Sequence, residues 1–225
     1  MTFKYLDFLL VLFILTLLIS NVVSAKILKF GPFTFDGGTL LFPLAYILGD
    51  IFTEVYGYKR MRRIIWLGFG ANILMALIFM WVGKLPAAEG WGNQSAYEAI
   101  LGWVPRIVLA SIIAYWCGEF INSFILAKMK IFTKGQYLWS RTIGSTLVAE
   151  LIDSLIFCFI AFYGQIPAIL LLKIIISNYI FKVGVEVLFT PITYAVVNFL
   201  KPREKMDVFD IGTNFSPFKI KDFNY

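Results

Sequence analysis

Histidine is absent from the 225 residues, and cysteine occurs only at positions 117 and 158, in neither case with metal-ligand spacing. Zinc and haem sites therefore lack their usual ligands, and no cofactor or metal is expected. Cys117 and Cys158 fall in apolar stretches on different predicted helices and read as buried packing residues. Charge is scarce as well: Asp, Glu, Lys and Arg make up 15% of the chain, against about 25% in a typical soluble domain. That shortage argues against a soluble fold. A phosphate-cradling GxxxxGK[ST] loop is also missing, so the chain carries no nucleotide-driven motor of its own.

What the chain has instead is apolar surface. Hydrophobic residues make up 60%, with 23 Phe, 11 Tyr and 6 Trp, and the mean hydropathy is +0.80. A net charge of +6 could point to nucleic acid, but the basic residues do not gather with aromatics into a groove. They sit between apolar runs, as membrane topology requires, so the lipid bilayer is the expected partner and nucleic acid is not.

Six apolar runs, at about 5–24, 41–56, 64–82, 106–128, 141–163 and 168–200, predict an all-α integral membrane protein: a six-transmembrane-helix bundle. Residues 1–200 form the membrane domain in this reading, and 201–225 a polar, loosely ordered cytoplasmic tail. The first run is longer than a signal-peptide core, so it reads as a retained helix although Val23-Ser24-Ala25 resembles a cleavage site. Phe33-Thr34-Phe35 followed by Asp36-Gly37-Gly38 predicts a short hairpin. Trp91 and Trp103 are expected as interfacial anchors, and Gly164-Gln165-Ile166-Pro167 as a tight turn.

Lysines and arginines concentrate on one side: Lys4, the 59–63 cluster, Lys128, Lys130, Lys134, Arg141, Lys201, Arg203 and Lys205. The other side has Lys26, Lys29, Lys84 and Arg106. The positive-inside rule therefore places both termini in the cytoplasm. Three helices per half means that any duplication would be inverted. Asp50 and Glu54 on the second helix do parallel Glu150 and Asp153 on the fifth, and Asn72 parallels Asn178, but a 3+3 inverted repeat stays open on this basis. Gly68, Gly70, Ala71 and Ala76 on the third helix would permit close contact in a homodimer.

The most informative run is RTIGSTLVAELID, Arg141 to Asp153. At about 100° per residue, Ser145, Thr142, Asp153, Thr146 and Glu150 fall within roughly 140° of arc, with Arg141 at its edge. Carboxylates in a membrane span are costly unless they face a protein interior or a wet cavity, so they mark a candidate site. Asp50, Glu54, Glu119, Glu150, Asp153 and Glu186 outnumber Arg141, Lys173 and Lys182 at membrane depth. Glu119 reads as a packing residue towards the end of its helix. Lys182 precedes Glu186 by one turn, the weaker order for a helical pair, so both are expected to reach other helices. Glu150 shows no cation one turn away on its own helix. Carboxylates among aromatic rings suit a flat, nitrogen-rich ligand whose amidine-like edge donates two parallel hydrogen bonds. Composition alone leaves an amine or a metal cation equally open.

LGDIFTEVYGYKRMRR, Leu48 to Arg63, resembles the hallmark of the queuosine precursor transporter family, also called the vitamin uptake transporter family. NVVSAK from Asn21, RTIGSTLVAELIDSLIF from Arg141 and SNYIFKVGVEVLFTPITY from Ser177 are similar to further parts of that pattern. The resemblance implies an inner-membrane importer, not an enzyme, that takes up 7-deazaguanine bases or nucleosides such as preQ0, preQ1 or queuine for queuosine salvage in tRNA. It also implies a substrate site or gate at Asn21, Asp50, Glu54, Arg141, Ser145, Glu150, Asp153, Asn178, Lys182 and Glu186. Glu150 stands where many members are expected to carry glutamine, and a carboxylate there could favour a precursor with an aminomethyl group. The alternatives are a substrate-binding subunit of an energy-coupling-factor transporter, also of six helices, and a membrane-embedded enzyme, which lacks a His, Ser/Lys or metal constellation here.

Overall fold

The computed structural model describes residues 3–24, 26–30, 33–102, 105–164 and 167–219. Six long helices make the bundle: α1 (Leu6–Val23), α2 (Phe42–Tyr56), α3 (Tyr58–Gly83), α5 (Pro105–Phe132), α6 (Leu138–Phe162) and α7 (Ala168–Glu204). A short α4 (Gln94–Tyr97) lies in the loop after α3. The expected hairpin forms between α1 and α2, where β1 (Ile27–Phe30) pairs antiparallel with β2 (Phe33–Asp36), Ile27 opposite Asp36. Trp103, Gln165, Ile166 and Ala25 fall outside the described residues.

The all-α membrane class holds. Five helices, α1, α3, α5, α6 and α7, have segments long and apolar enough to cross a bilayer. Their outer faces expose Leu77, Trp81, Leu172 and Leu188, while Asp50, Glu54, Glu119 and Arg141 are fully buried. With 15 residues, α2 spans only about 22 Å, less than a hydrocarbon core of about 30 Å. Its surroundings account for this, since 13 of those residues are buried and it packs on α1, α3, α5 and α7. A helix enclosed by protein need not match the lipid thickness. A 3-10 turn, Gly37–Leu40, joins it to the hairpin, whose Phe35 ring packs 4.7 Å from Phe181 of α7. Of the small residues on α3, Gly68 faces Phe13 and Leu17 of α1 within the same chain.

A single residue, Gly57, connects α2 to α3. Its φ of +85° suits glycine, and a Cβ there would collide with the Val208 side chain. The two ends of the chain meet at the same end of the bundle: the Lys4 and Tyr5 amides donate to Glu204 at 3.2 and 2.6 Å, and the Tyr56 hydroxyl joins them at 3.2 Å.

Residues 206–219 differ from the loose tail expected of a polar sequence. Asp210 accepts the Tyr58 amide at 2.9 Å, so the tail supplies an acceptor to the start of α3. Arg62 donates to the carbonyls of Asn214 and Ser216, both at 2.9 Å, and the Trp66 indole to that of Pro217 at 2.9 Å. Phe215 packs on Tyr58 and Phe124, and Phe218 on Trp66 and Trp116. The basic and aromatic first turns of α3 need acceptors and ring partners, and the tail backbone and its two phenylalanines provide them. Asp210→Ala should therefore destabilise the protein by about 0.5–2 kcal/mol, the usual cost of losing a helix cap. Thermal unfolding in detergent measures this, and an unchanged midpoint would show that the tail does not hold α3.

Candidate functional site

Buried polar side chains gather in three groups along the bundle. The first joins α1, α3 and α5. Asn21 donates to Asn72 at 2.6 Å and to the Leu17 carbonyl at 3.1 Å, and accepts the Ser111 hydroxyl at 3.0 Å. These amides satisfy one another.

The second group lies where the chain ends meet. Glu54, near the end of α2, stands 3.0 Å from the Arg141 guanidinium, 2.7 Å from Lys201 Nζ and 3.5 Å from Lys130 Nζ. Lys130 also donates to the Glu54 carbonyl, and Asp207 of the tail bridges Lys130 at 2.6 Å and Lys201 at 2.9 Å. Partial burial works against the Asp207 carboxylate, but hydrogen bonds from the two ammonium groups outweigh it and hold its carboxyl below the usual value. Lys130, read from sequence as a loop residue, lies in the last turn of α5 because that helix runs on to Phe132; it is 1% exposed.

The third group occupies the middle. Lys182 of α7 lies 3.1 Å from Glu150 and in contact with Asp153, both on α6, and its ammonium sits 5.5 Å from the centre of the Phe42 ring. Glu150 therefore has a cation, supplied by the neighbouring helix and not by its own. Asn122 donates to Asp50 at 2.6 Å, Thr53 to Ser123 at 3.1 Å, and Ser123 to Glu119 at 3.4 Å. The Glu119 carboxylate rests on Gly49, where a Cβ would displace it. Gly118 similarly leaves room for the Tyr46 hydroxyl beside Asp153. Glu186 is 1% exposed, and neither carboxylate oxygen has a hydrogen-bond partner.

The structure thus brings Asp50, Glu150, Asp153, Lys182 and Glu186 together, with Asn178 buried one turn before Lys182. It places Glu54 and Arg141 in the ionic group near the chain ends, and Asn21 in the amide group. Ser145 is buried, but its hydroxyl donates to the Thr142 carbonyl of its own helix at 3.0 Å. Glu119 and Asn122 join the centre although sequence reading treated Glu119 as packing. The i, i+3 spacing of Glu119 and Asn122, with Ser123 at i+4, was the available signal, masked by the apolar residues around them. Lys173, by contrast, is exposed near the start of α7.

Chemically, the centre is a set of acceptors: Glu150 and Asp153 share the Lys182 ammonium, while Asp50, Glu119 and Glu186 have no salt-bridge partner among the described residues. Among the described residues no three such side chains are placed to hold a metal ion. A cleft of about 490 Å³ between α1 and α7, lined by Tyr5, Phe8, Val196 and Phe199, is apolar and separate from this cluster.

Removing one partner of a buried ion pair leaves the other uncompensated, at a cost of about 3–5 kcal/mol. Glu54→Ala, which leaves Arg141, Lys130 and Lys201 facing Asp207 alone, should lower thermal stability by that order. A loss below about 1 kcal/mol, the size of a surface pair, would show that the network does not hold the helix ends together.

Residues 36–196, well over half of the chain, match the family model described as a putative vitamin uptake transporter. The "Probable queuosine precursor transporter" of Bacillus subtilis is 29% identical over 187 residues, covering 83% of this chain and 82% of that protein. The "Queuosine precursor transporter" of Escherichia coli is 27% identical over 170 residues, 74% of each chain. Its "Probable" counterpart in Haemophilus influenzae is 21% identical over 173 residues, 75% of this chain and 71% of that one. No solved structure gives a significant match. With the family model covering most of the helical bundle, the chain belongs to the putative vitamin uptake transporter family, a family of membrane transporters rather than enzymes.

Proposed function

We propose that the chain imports a queuosine precursor, a 7-deazaguanine base or nucleoside, across the cytoplasmic membrane of a bacterium, with both termini on the cytoplasmic side. The observation that carries this reading is the buried Glu150–Asp153–Lys182 group, set among aromatic rings at the centre of a chain whose relatives bear that name. A guanine-like edge offers an N1-H and a 2-amino group side by side, and a carboxylate accepts both. Lys182 forms an ion pair with Glu150 at 3.1 Å. An incoming base exchanges with it, its donors turning to Glu150 while Lys182 stays with Asp153. Phe42 and Tyr46, which flank these groups, offer faces for stacking.

Passage into the cell would require the Glu54–Arg141–Lys201 group to part, since it closes the end of the bundle that this topology assigns to the cytoplasm. With no nucleotide loop in the sequence, the chain acts as a secondary transporter or facilitator, and downstream tRNA modification traps the product. The relatives lend no support to a subunit that depends on a separate ATPase. Expression in a host lacking precursor synthesis, its own importer and any coupling module tests the reading: queuosine should reappear in tRNA when precursor is supplied. Continued absence of queuosine, with the protein present in the membrane, would overturn it.

Two further outcomes follow. Glu150→Ala should weaken precursor binding by about 1.5–3 kcal/mol, roughly ten- to hundredfold, as a charge-assisted hydrogen-bond pair is lost. Titration of the purified variant measures it, and unchanged affinity would make Glu150 a packing residue. For topology, single cysteines placed in residues 128–135 or in the tail should resist an impermeant thiol reagent in intact cells, while one at Gly90 should react. Equal labelling of both sets would refute cytoplasmic termini.

A further inference from the structure

The central cluster has acceptors left over once Lys182 is accounted for. Asp50 uses one oxygen to hold Asn122, and its other oxygen is buried without a partner. The Asn122 side-chain carbonyl is also buried and unpartnered, although the amide is fixed in place by Asp50. Glu186 has two such oxygens. All three residues are more than nine-tenths buried. Among the described residues no lysine or arginine lies within salt-bridge distance of Asp50, Glu119 or Glu186. Asp50 lies on α2 and Glu186 on α7, two helices that pack against each other, and Asn122 reaches Asp50 from α5, which also packs on α2.

Buried acceptors without donors are unfavourable, and like charges without a cation more so. A ligand that completes the region must bring donors and positive charge. Among the described residues no three carboxylates are placed to hold a bare metal ion, and Asn122 supplies a neutral acceptor in place of a third carboxylate. A primary ammonium matches it: it has three N–H donors and no acceptor, and three side chains, Asp50, Asn122 and Glu186, offer free acceptors. A nitrile in the same place would offer only another acceptor.

We infer that Asp50, Asn122 and Glu186 form a second subsite, which binds a protonated amine on the substrate, so that the chain selects a 7-aminomethyl-7-deazaguanine over its 7-cyano counterpart. This rests on the reading of Glu150, Asp153 and Lys182 as the site for the base. The two ligands share that base and differ only in the group that Asp50, Asn122 and Glu186 would meet.

Titration of the full-length protein in lipid nanodiscs with the 7-aminomethyl and 7-cyano bases tests it. The aminomethyl compound should bind at least about tenfold more tightly, a 1.4 kcal/mol difference. In Glu186→Gln and in Asp50→Asn that ratio should fall towards one, because the ammonium loses a counter-charge that the nitrile never used. A wild-type ratio of one, or a preference for the nitrile, overturns the subsite without the variants having to fold. An equal loss for both ligands in both variants also overturns it, by making Asp50 and Glu186 part of the base site. Nitrile binding that requires sodium and disappears in Glu186→Gln would assign the acceptors to that ion instead. If neither base binds, the precursor reading itself fails, and this inference with it.

Discussion

A carboxylate enclosed by protein at membrane depth must find positive charge or hydrogen-bond donors, because no solvent supplies them. Glu54 meets this requirement by drawing on three cations from three other helices. Arg141 is near the start of α6, Lys130 is in the last turn of α5, and Lys201 is near the end of α7. Each helix can satisfy Glu54 only at one rotation and one height. The pairing therefore sets the relative placement of α2, α5, α6 and α7, and Asp207 ties the tail to the same point. The tight Gly57 turn, the meeting of the chain ends at Glu204 and the docking of residues 206–219 are neighbours of this arrangement.

The centre of the bundle obeys the same constraint incompletely. Lys182 serves Glu150 and Asp153, while Glu186 and one side of Asp50 stay without donors. In a protein selected only for stability, apolar residues of similar size would serve as well or better. Aromatic rings cover this region from the hairpin side, with Phe35 on Phe181 and Phe42 over Lys182. The opposite side is closed by ions. The two ends of the bundle thus differ in kind, with rings packed at one and buried ion pairs, which salt screens little, at the other.

The helices were legible because hydropathy reports them directly, and the hairpin because alternation and Asp36-Gly37-Gly38 are local signals. Asp50, Glu150 and Asp153 stood out because a carboxylate in an apolar run has few bland explanations. What the sequence could not convey was height and partnership. Arg141 and Glu150 share one helical stretch, yet lie nine residues apart and so at different depths, one bound to Glu54 and the other to Lys182. Glu119 reads as packing, and Asn122 carries no signal of its own, because a single helix cannot show that Gly49 and Asp50 wait opposite. The tail was misjudged for a related reason. Many of its contacts use backbone carbonyls, which composition does not register, and its Asp207, Asp210, Phe215 and Phe218 side chains find partners that only the folded bundle supplies.

The acceptor that Asp210 provides to Tyr58 comes from a residue 152 positions further along the chain. Five of the six long helices are complete, and the last has been synthesised, before that acceptor leaves the ribosome. During biosynthesis the start of α3 must therefore rely on water or lipid headgroups at the membrane surface, and Arg62 and Trp66 wait equally long for the carbonyls of the tail. Closure of this end of the bundle therefore follows synthesis of all six long helices, so a nascent protein holds its helices in the bilayer before residues 206–219 dock.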